Sequence, residues 1–208
     1  MEVTVSSSAK AGRPRDADRD RALLVATQDL LAEVGFDRLS IDAVAARCGA
    51  GKTTVYRRWA GKPELVADAV ALLHEIAHAP DTGDLRTDLV HMARAWHDPD
   101  SRRDAVIGGL LTGMVHDCGL REAVNQAISV PYKQVFATVV SRAVERGEVP
   151  GDRDIDLIGT IFPAITFHRL SVMAEPIDLA FIERVVDGVV VPALTAGGAS
   201  PVGDATSR

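Results

Sequence analysis

The chain has 208 residues, 47 % of them hydrophobic, 25 % charged and only 4 % aromatic, ordinary values for a globular protein with an aliphatic core. Its formal net charge of −6 speaks against a protein that coats nucleic acid over its whole surface. Two cysteines, Cys48 and Cys118, exclude a disulfide scaffold and fit a reduced compartment.

The first residues lack the apolar stretch of a secretory signal, and no apolar run approaches the roughly 18 residues of a membrane span. A cytoplasmic protein with no membrane partner is expected. The charge is unevenly spread. Residues 1–62 carry 11 Lys and Arg against 8 Asp and Glu, whereas residues 63–208 carry 12 against 21. A basic N-terminal quarter on an acidic body is the asymmetry of a protein that meets phosphate with one end.

Residues 1–17 are polar and patternless and read as a flexible basic arm. From Asp18 the pattern is helical: Leu23, Leu24, Thr27, Leu30, Leu31 and Val34 recur at the spacing of one apolar face. Gly35 ends that helix. Ser40 caps a short second helix whose inward face is Ile41, Val44, Ala45 and Cys48. After the turn Gly49-Ala50-Gly51, a third helix spans Lys52 to Trp59. Pro63 and Glu64 suit the first turn of a fourth helix, which runs to about His78, ahead of Pro80.

A fifth helix is marked by Leu85, Leu89, Met92, Ala93 and Trp96, and Ser101 caps a sixth. A seventh spans about Leu120 to Arg146 and is interrupted near Pro131. Two more apolar helices are predicted over 154–173 and 178–194. No segment alternates with period two for long enough to make a strand. The expected fold is all-α with about nine helices. Its parts are an arm (1–17), a helix-turn-helix domain (18–62), a helical body (63–195) and a disordered tail (196–208).

Residues 40–59 read as helix, tight turn and short helix, the layout of a helix-turn-helix whose second helix enters the major groove. Val55 and Trp59 lie four apart and face inward together. Lys52, Thr53, Tyr56 and Arg57 then point outward, as donors sized for base edges and phosphate oxygens. The run Gly49-Ala50-Gly51-Lys52-Thr53 is no nucleotide-binding phosphate loop, because the leading glycine spacing and a preceding strand are missing. A Ser nucleophile elbow and a Cys–His pair are also absent.

Residues 19–66 resemble the DNA-binding domain of tetracycline-repressor (TetR) family regulators. The matching pieces are Ala22, Leu30-Leu31, Gly35-Phe36, Leu39-Ser40-Ile41, Val44-Ala45 and Cys48-Gly49, followed by Lys52 to Trp59 without a gap and Lys62-Pro63-Glu64-Leu65. The resemblance implies that Lys52, Thr53 and Thr54 lie nearest the base edges. It places Tyr56 on phosphate, Arg57 and Arg58 on base or backbone, and Ser40 and Lys62 on phosphate at helix ends. Arg13 and Arg15 on the arm would reach the minor groove. Gly51 stands where a Ser or Thr cap is frequent in the family.

The resemblance further implies a homodimer on inverted-repeat double-stranded DNA, most often a repressor released by a small-molecule effector. The last two helices are the expected dimer interface, through Phe162, Ile165, Leu170, Phe181, Val185 and Val189. Effector contacts are expected among Met92, Trp96, Leu110, Leu111, Met114, Phe136 and Phe167, although core packing is the commoner role of such residues. The Gly108-Gly109 pair weakens the sixth helix and makes it a candidate moving part.

One short motif competes. His74-Glu75-Ile76-Ala77-His78 has the H-E-x-x-H spacing that places two imidazoles around zinc with a glutamate base. No downstream third-ligand motif follows, and Pro80 ends the helix directly after the pair. The expected protein is therefore no enzyme and needs no cofactor, with zinc hydrolysis through this motif left as a remote alternative. Metal sensing through His74 and His78 stays as an alternative.

Overall fold

The computed structural model describes residues 14–73, 78–97 and 102–196, with the side chains of residues 14–16 excepted. Every regular element among them is helical. The N-terminal helices are α1 (Pro14–Arg38), α2 (Ile41–Arg47), α3 (Lys52–Tyr56) and α4 (Lys62–Ala71). Then come α5 (Leu85–Ala93), extended by a 3₁₀ turn through Trp96, and α6 (Arg102–His116). A π-turn at Asn125–Ser129 joins α7 (Cys118–Val124) to α8 (Val130–Glu145). The short α9 (Ile155–Ile158) runs on into α10 (Ile161–Ser171), and a second π-turn at Val186–Val190 joins α11 (Leu179–Val185) to α12 (Val191–Thr195). Counted as continuous rods, the described residues form nine helices, as the sequence predicts.

Proline explains the three interruptions. Pro131, Pro163 and Pro192 lack the N–H that would bond four residues back, to Ala127, Gly159 and Gly188. The chain answers with a π-turn, a break after α9 and a second π-turn, each beginning ahead of its proline. Only the interruption near Pro131 was expected. The start of α1 also differs from expectation: it lies at Pro14 rather than Asp18, because proline is pre-set for the first helical position. The boundary of the arm moves back accordingly. The Ser101 cap and the tail from residue 197 lie outside the described residues.

Gly35 has φ +74° and stops the helical run of α1, a conformation that side-chain-bearing residues avoid. Phe36 then turns inward and is buried. Ser40 caps α2, its Oγ accepting from the Ala43 N–H at 3.2 Å.

Two apolar clusters fill the molecule. The first joins Leu23, Leu31, Val44, Val55 and Leu65 of α1–α4 to Val106 and Leu110 of α6 and Leu120 of α7. It thus crosses residue 62. The second is built from α5, α8, α10, α11 and α12, with Leu89, Phe136, Val139, Phe162 and Ile182 among its members. Helix α6 lies along α1 at near backbone contact. A Cβ on Gly113 would stand 2.6 Å from the Phe36 ring, so only glycine permits this approach. Arg102 at the start of α6 pairs with Asp29 of α1 at 2.7 Å.

Candidate nucleic-acid interface and cavity

The second helix of the helix-turn-helix is held from below. Val55 is fully buried and Trp59 nearly so, and the Trp59 indole N–H donates to the Asp68 carboxylate of α4 at 2.8 Å. With that face fixed, Lys52, Thr53, Tyr56 and Arg57 stand exposed on the other side, and Tyr56 is 55 % accessible. A phenol so exposed beside basic side chains is suited to phosphate or base contact. Thr54 is half-buried between the two faces. Lys52 forms a 2.5 Å ion pair with Asp42 of α2, which holds its ammonium proton more tightly than usual. Both side chains are exposed, so a phosphate oxygen can replace the carboxylate. Asp42 was not expected in this site; no spacing rule in the sequence links it to Lys52.

Two of the expected DNA contacts are engaged inside the protein. The Arg58 side chain is only 14 % exposed and pairs with Asp20 of α1, while its Nη1 donates to the Thr54 carbonyl at 3.3 Å. Lys62 Nζ donates to the carbonyls of Phe36 at 2.9 Å and Leu39 at 3.2 Å and sits 4.0 Å from the Phe36 ring centroid. Arg58 thus ties the end of α3 to α1 through Asp20, while Lys62 serves the carbonyls at the end of α1, where the last carbonyls of a helix need donors. Ser40 is exposed, with its hydroxyl oxygen used as the α2 cap. Arg13 lies outside the described residues, and Arg15 falls in the first turn of α1 with its side chain outside them.

A cavity of about 180 Å³ opens between α6, the π-turn and α10. Trp96, Leu110, Leu111, Met114 and Phe167 line it, five of the seven expected effector contacts. Met92 and Phe136 do not reach it; they pack in the second core, where both are buried. A neighbouring cavity of about 130 Å³ shares the walls Trp96, Ile128, Ser129 and Pro163 and adds Tyr132, Lys133 and Thr160. Ile128 and Ser129 escaped the sequence reading. The interruption at Pro131 pointed to the right segment, but periodicity does not show which side of a π-turn faces inward.

Of the six expected dimer residues, Phe162, Phe181 and Val185 are buried in the second core. Leu170 and Ile165 are half-buried, Leu170 lining the larger cavity, and Val189 is exposed. The aromatic rings turn inward because α10 and α11 must close over α5 and α8 within one chain. The exposed large apolar side chains from α10 onward are Phe167, Val172, Met173, Leu179 and Val189. Of the H-E-x-x-H segment, residues 74–77 lie outside the described residues, and His78 is exposed. Among the described residues, no group of three His, Cys, Asp or Glu side chains converges on a metal position. No described helix is long and apolar enough to cross a membrane.

Residues 23–69 match the family described as bacterial regulatory proteins, tetR family, and residues 79–189 match the tetracyclin repressor-like C-terminal domain. A protein of Mycobacteroides abscessus named DNA-binding transcriptional repressor TetR is 37 % identical, over 88 % of this chain and 97 % of its own. An uncharacterized HTH-type transcriptional regulator of Mycobacterium bovis is 32 % identical, over 89 % of this chain and 94 % of its own. The crystal structure of a TetR-family transcription regulator, SCO0332, superposes with a TM-score of 0.61 at 28 % identity, over 83 % of this chain and 97 % of that one. A TetR-family regulator from Rhodococcus sp. shares the fold, with a TM-score of 0.70 at 15 % identity, over 86 % of this chain and 99 % of that one. With its helix-turn-helix and its helical body both matched, the chain belongs to the TetR family of DNA-binding transcriptional regulators.

Proposed function

We propose that this regulator is a repressor that sits on an inverted-repeat operator as a homodimer and leaves it when a small molecule enters the cavity beside α6. The observation that supports DNA reading is the split character of α3: Val55 and Trp59 are anchored while Lys52, Thr53, Tyr56 and Arg57 are exposed. A helix held in that way presents donors at low conformational cost. Supporting release is the double role of α6. Its residues Ile107, Leu110, Leu111 and Met114 line the cavity, while Gly109 and Gly113 press on α1. A ligand that favours one position of α6 therefore favours one placement of α1 and the helix-turn-helix.

The second copy docks on the side of α10 and α11, where Phe167, Val172, Met173 and Leu179 are exposed. One short recognition helix reads only a few base pairs, and two copies double the contact area. The named repressor of Mycobacteroides abscessus favours repression over activation.

A salt titration of binding to the chain's own upstream DNA, against a scrambled duplex of equal length, tests the reading. Preference for the upstream DNA with a steep salt slope is expected, each neutralised phosphate adding about 0.9 to the slope. Equal binding to both duplexes at every salt would refute it.

A further inference from the structure

Tyr132 is 5 % exposed, and its hydroxyl is buried with no hydrogen-bond partner. A buried donor left unsatisfied is destabilising and uncommon, and where it borders a cavity a second molecule can complete the bonding. The side chain belongs to the wall of the smaller cavity. Burial raises the phenol well above its ordinary pKa, so at neutral pH the group is an O–H donor.

The surrounding walls limit what such a molecule can be. Trp96, Ile128, Ser129 and Pro163 line both cavities, which therefore adjoin, and Trp96 meets Tyr132 edge-to-face, with centroids 6.0 Å apart at 87°. The remaining walls are largely Ile107, Leu110, Leu111, Ile128 and Pro163. Adjoining spaces of about 130 and 180 Å³ with aromatic and branched aliphatic walls suit a flat, compact apolar body better than a long flexible chain. The charged side chains among the lining residues are Arg103 in the larger cavity and Lys133 in the smaller, both cationic, with no carboxylate among them. An ammonium ligand would meet like charge and lose its hydration without a partner. A carboxylate meets favourable charge and finds the Tyr132 donor. The wall that carries Ser129 is a π-turn, a local irregularity that recurs at functional sites.

We propose that the joined cavities bind a compact, ring-bodied carboxylic acid, its carboxylate accepting from Tyr132 and lying near Lys133. The inference rests on the effector reading above and names the chemical class of the effector.

Isothermal titration of the full-length protein with three probes of one shape tests it: 2-naphthoate, 2-naphthamide and 2-naphthylmethylammonium. One naphthoate per chain is expected, with the ammonium analogue bound at least about tenfold more weakly, the size of a charge-assisted hydrogen bond. Tyr132→Phe, which keeps the ring, should weaken naphthoate about tenfold. Lys133→Gln, at an exposed position that does not put folding at risk, should weaken naphthoate severalfold and leave the amide unchanged. Binding of the ammonium as tight as the acid, or naphthoate affinity unchanged in both variants, would overturn the proposal. So would no binding of any probe. Because binding is read without DNA, such a failure with intact upstream-DNA recognition would sink the acid and leave the repressor standing.

Discussion

A Cβ on Gly109 would stand 2.0 Å from the carbonyl oxygen of Leu31, so α6 and α1 touch through backbone at that point. The neighbouring Gly108 faces open space, with nothing within 4 Å of where its Cβ would stand. The two glycines predict opposite outcomes for one substitution. Gly108→Ala should stabilise the protein by about 0.5–1 kcal/mol, because glycine is a poor helix former. Gly109→Ala should destabilise by about 1–3 kcal/mol, through overpacking that no rotamer can relieve. Thermal melts of the two variants read the signs directly. Equal shifts in one direction would show that α1 and α6 are not in backbone contact.

Within the helix-turn-helix, exposure sorts residues of similar chemistry. Tyr56→Ala and Arg57→Ala should each weaken operator binding by about tenfold or more, with stability changed by no more than about 0.5 kcal/mol, as for surface sites. Arg58→Ala should instead lower stability by about 1–3 kcal/mol, because it removes the partner of Asp20 at a largely buried position. Denaturant melts beside fluorescence-anisotropy titrations separate the two classes. A Tyr56 variant that binds DNA normally would remove α3 from the interface as drawn.

These sortings show where the sequence was legible. The amphipathic period of α1, the Ser40 cap and the Val55–Trp59 anchor are local, so the fold class and the outward face of α3 followed from spacing alone. The intramolecular partners of Arg58 and Lys62, Asp20 and the carbonyls of Phe36 and Leu39, could not be read from spacing because tertiary folding brings them near. The cavity was half legible for the same reason. Leu110, Leu111 and Met114 share a helix and a face, whereas the opposing wall at Ile128 and Ser129 depends on how a proline-broken helix turns. The inward side of α10 and α11 was readable as apolar, but sequence does not say whether an apolar stripe meets its own chain or a second one.

Acid should loosen the start of α5. The Asp84 carboxylate accepts from the Thr87 N–H at 2.8 Å and the Thr87 hydroxyl at 2.6 Å, and these bonds hold its pKa below the ordinary 3.8. A depressed folded-state pKa contributes stability that is complete above the unfolded value and lost as pH falls through the folded one. The loss therefore begins below about pH 4. Asp84→Asn should reduce the stability change across that acid range while leaving the operator titration at neutral pH unchanged. An acid limb identical in the variant would mean that Thr87 does not stabilise the charged cap.

Lys62 separates a structural from a DNA-contacting lysine by a single slope. Its ammonium serves two main-chain carbonyls at the end of α1 and lies against the Phe36 ring. Lys62→Met keeps the apolar stem and removes the donor. Two carbonyls then lose their partner, so stability should fall by about 1–3 kcal/mol. A protein still folded at low temperature should retain the wild-type dependence of log K on log salt, since no phosphate contact has been lost. If Lys62 instead neutralised a phosphate, the slope would fall by about 0.9 in magnitude per half-site with stability nearly unchanged. The two measurements move in opposite senses under the two roles, so one variant decides between them.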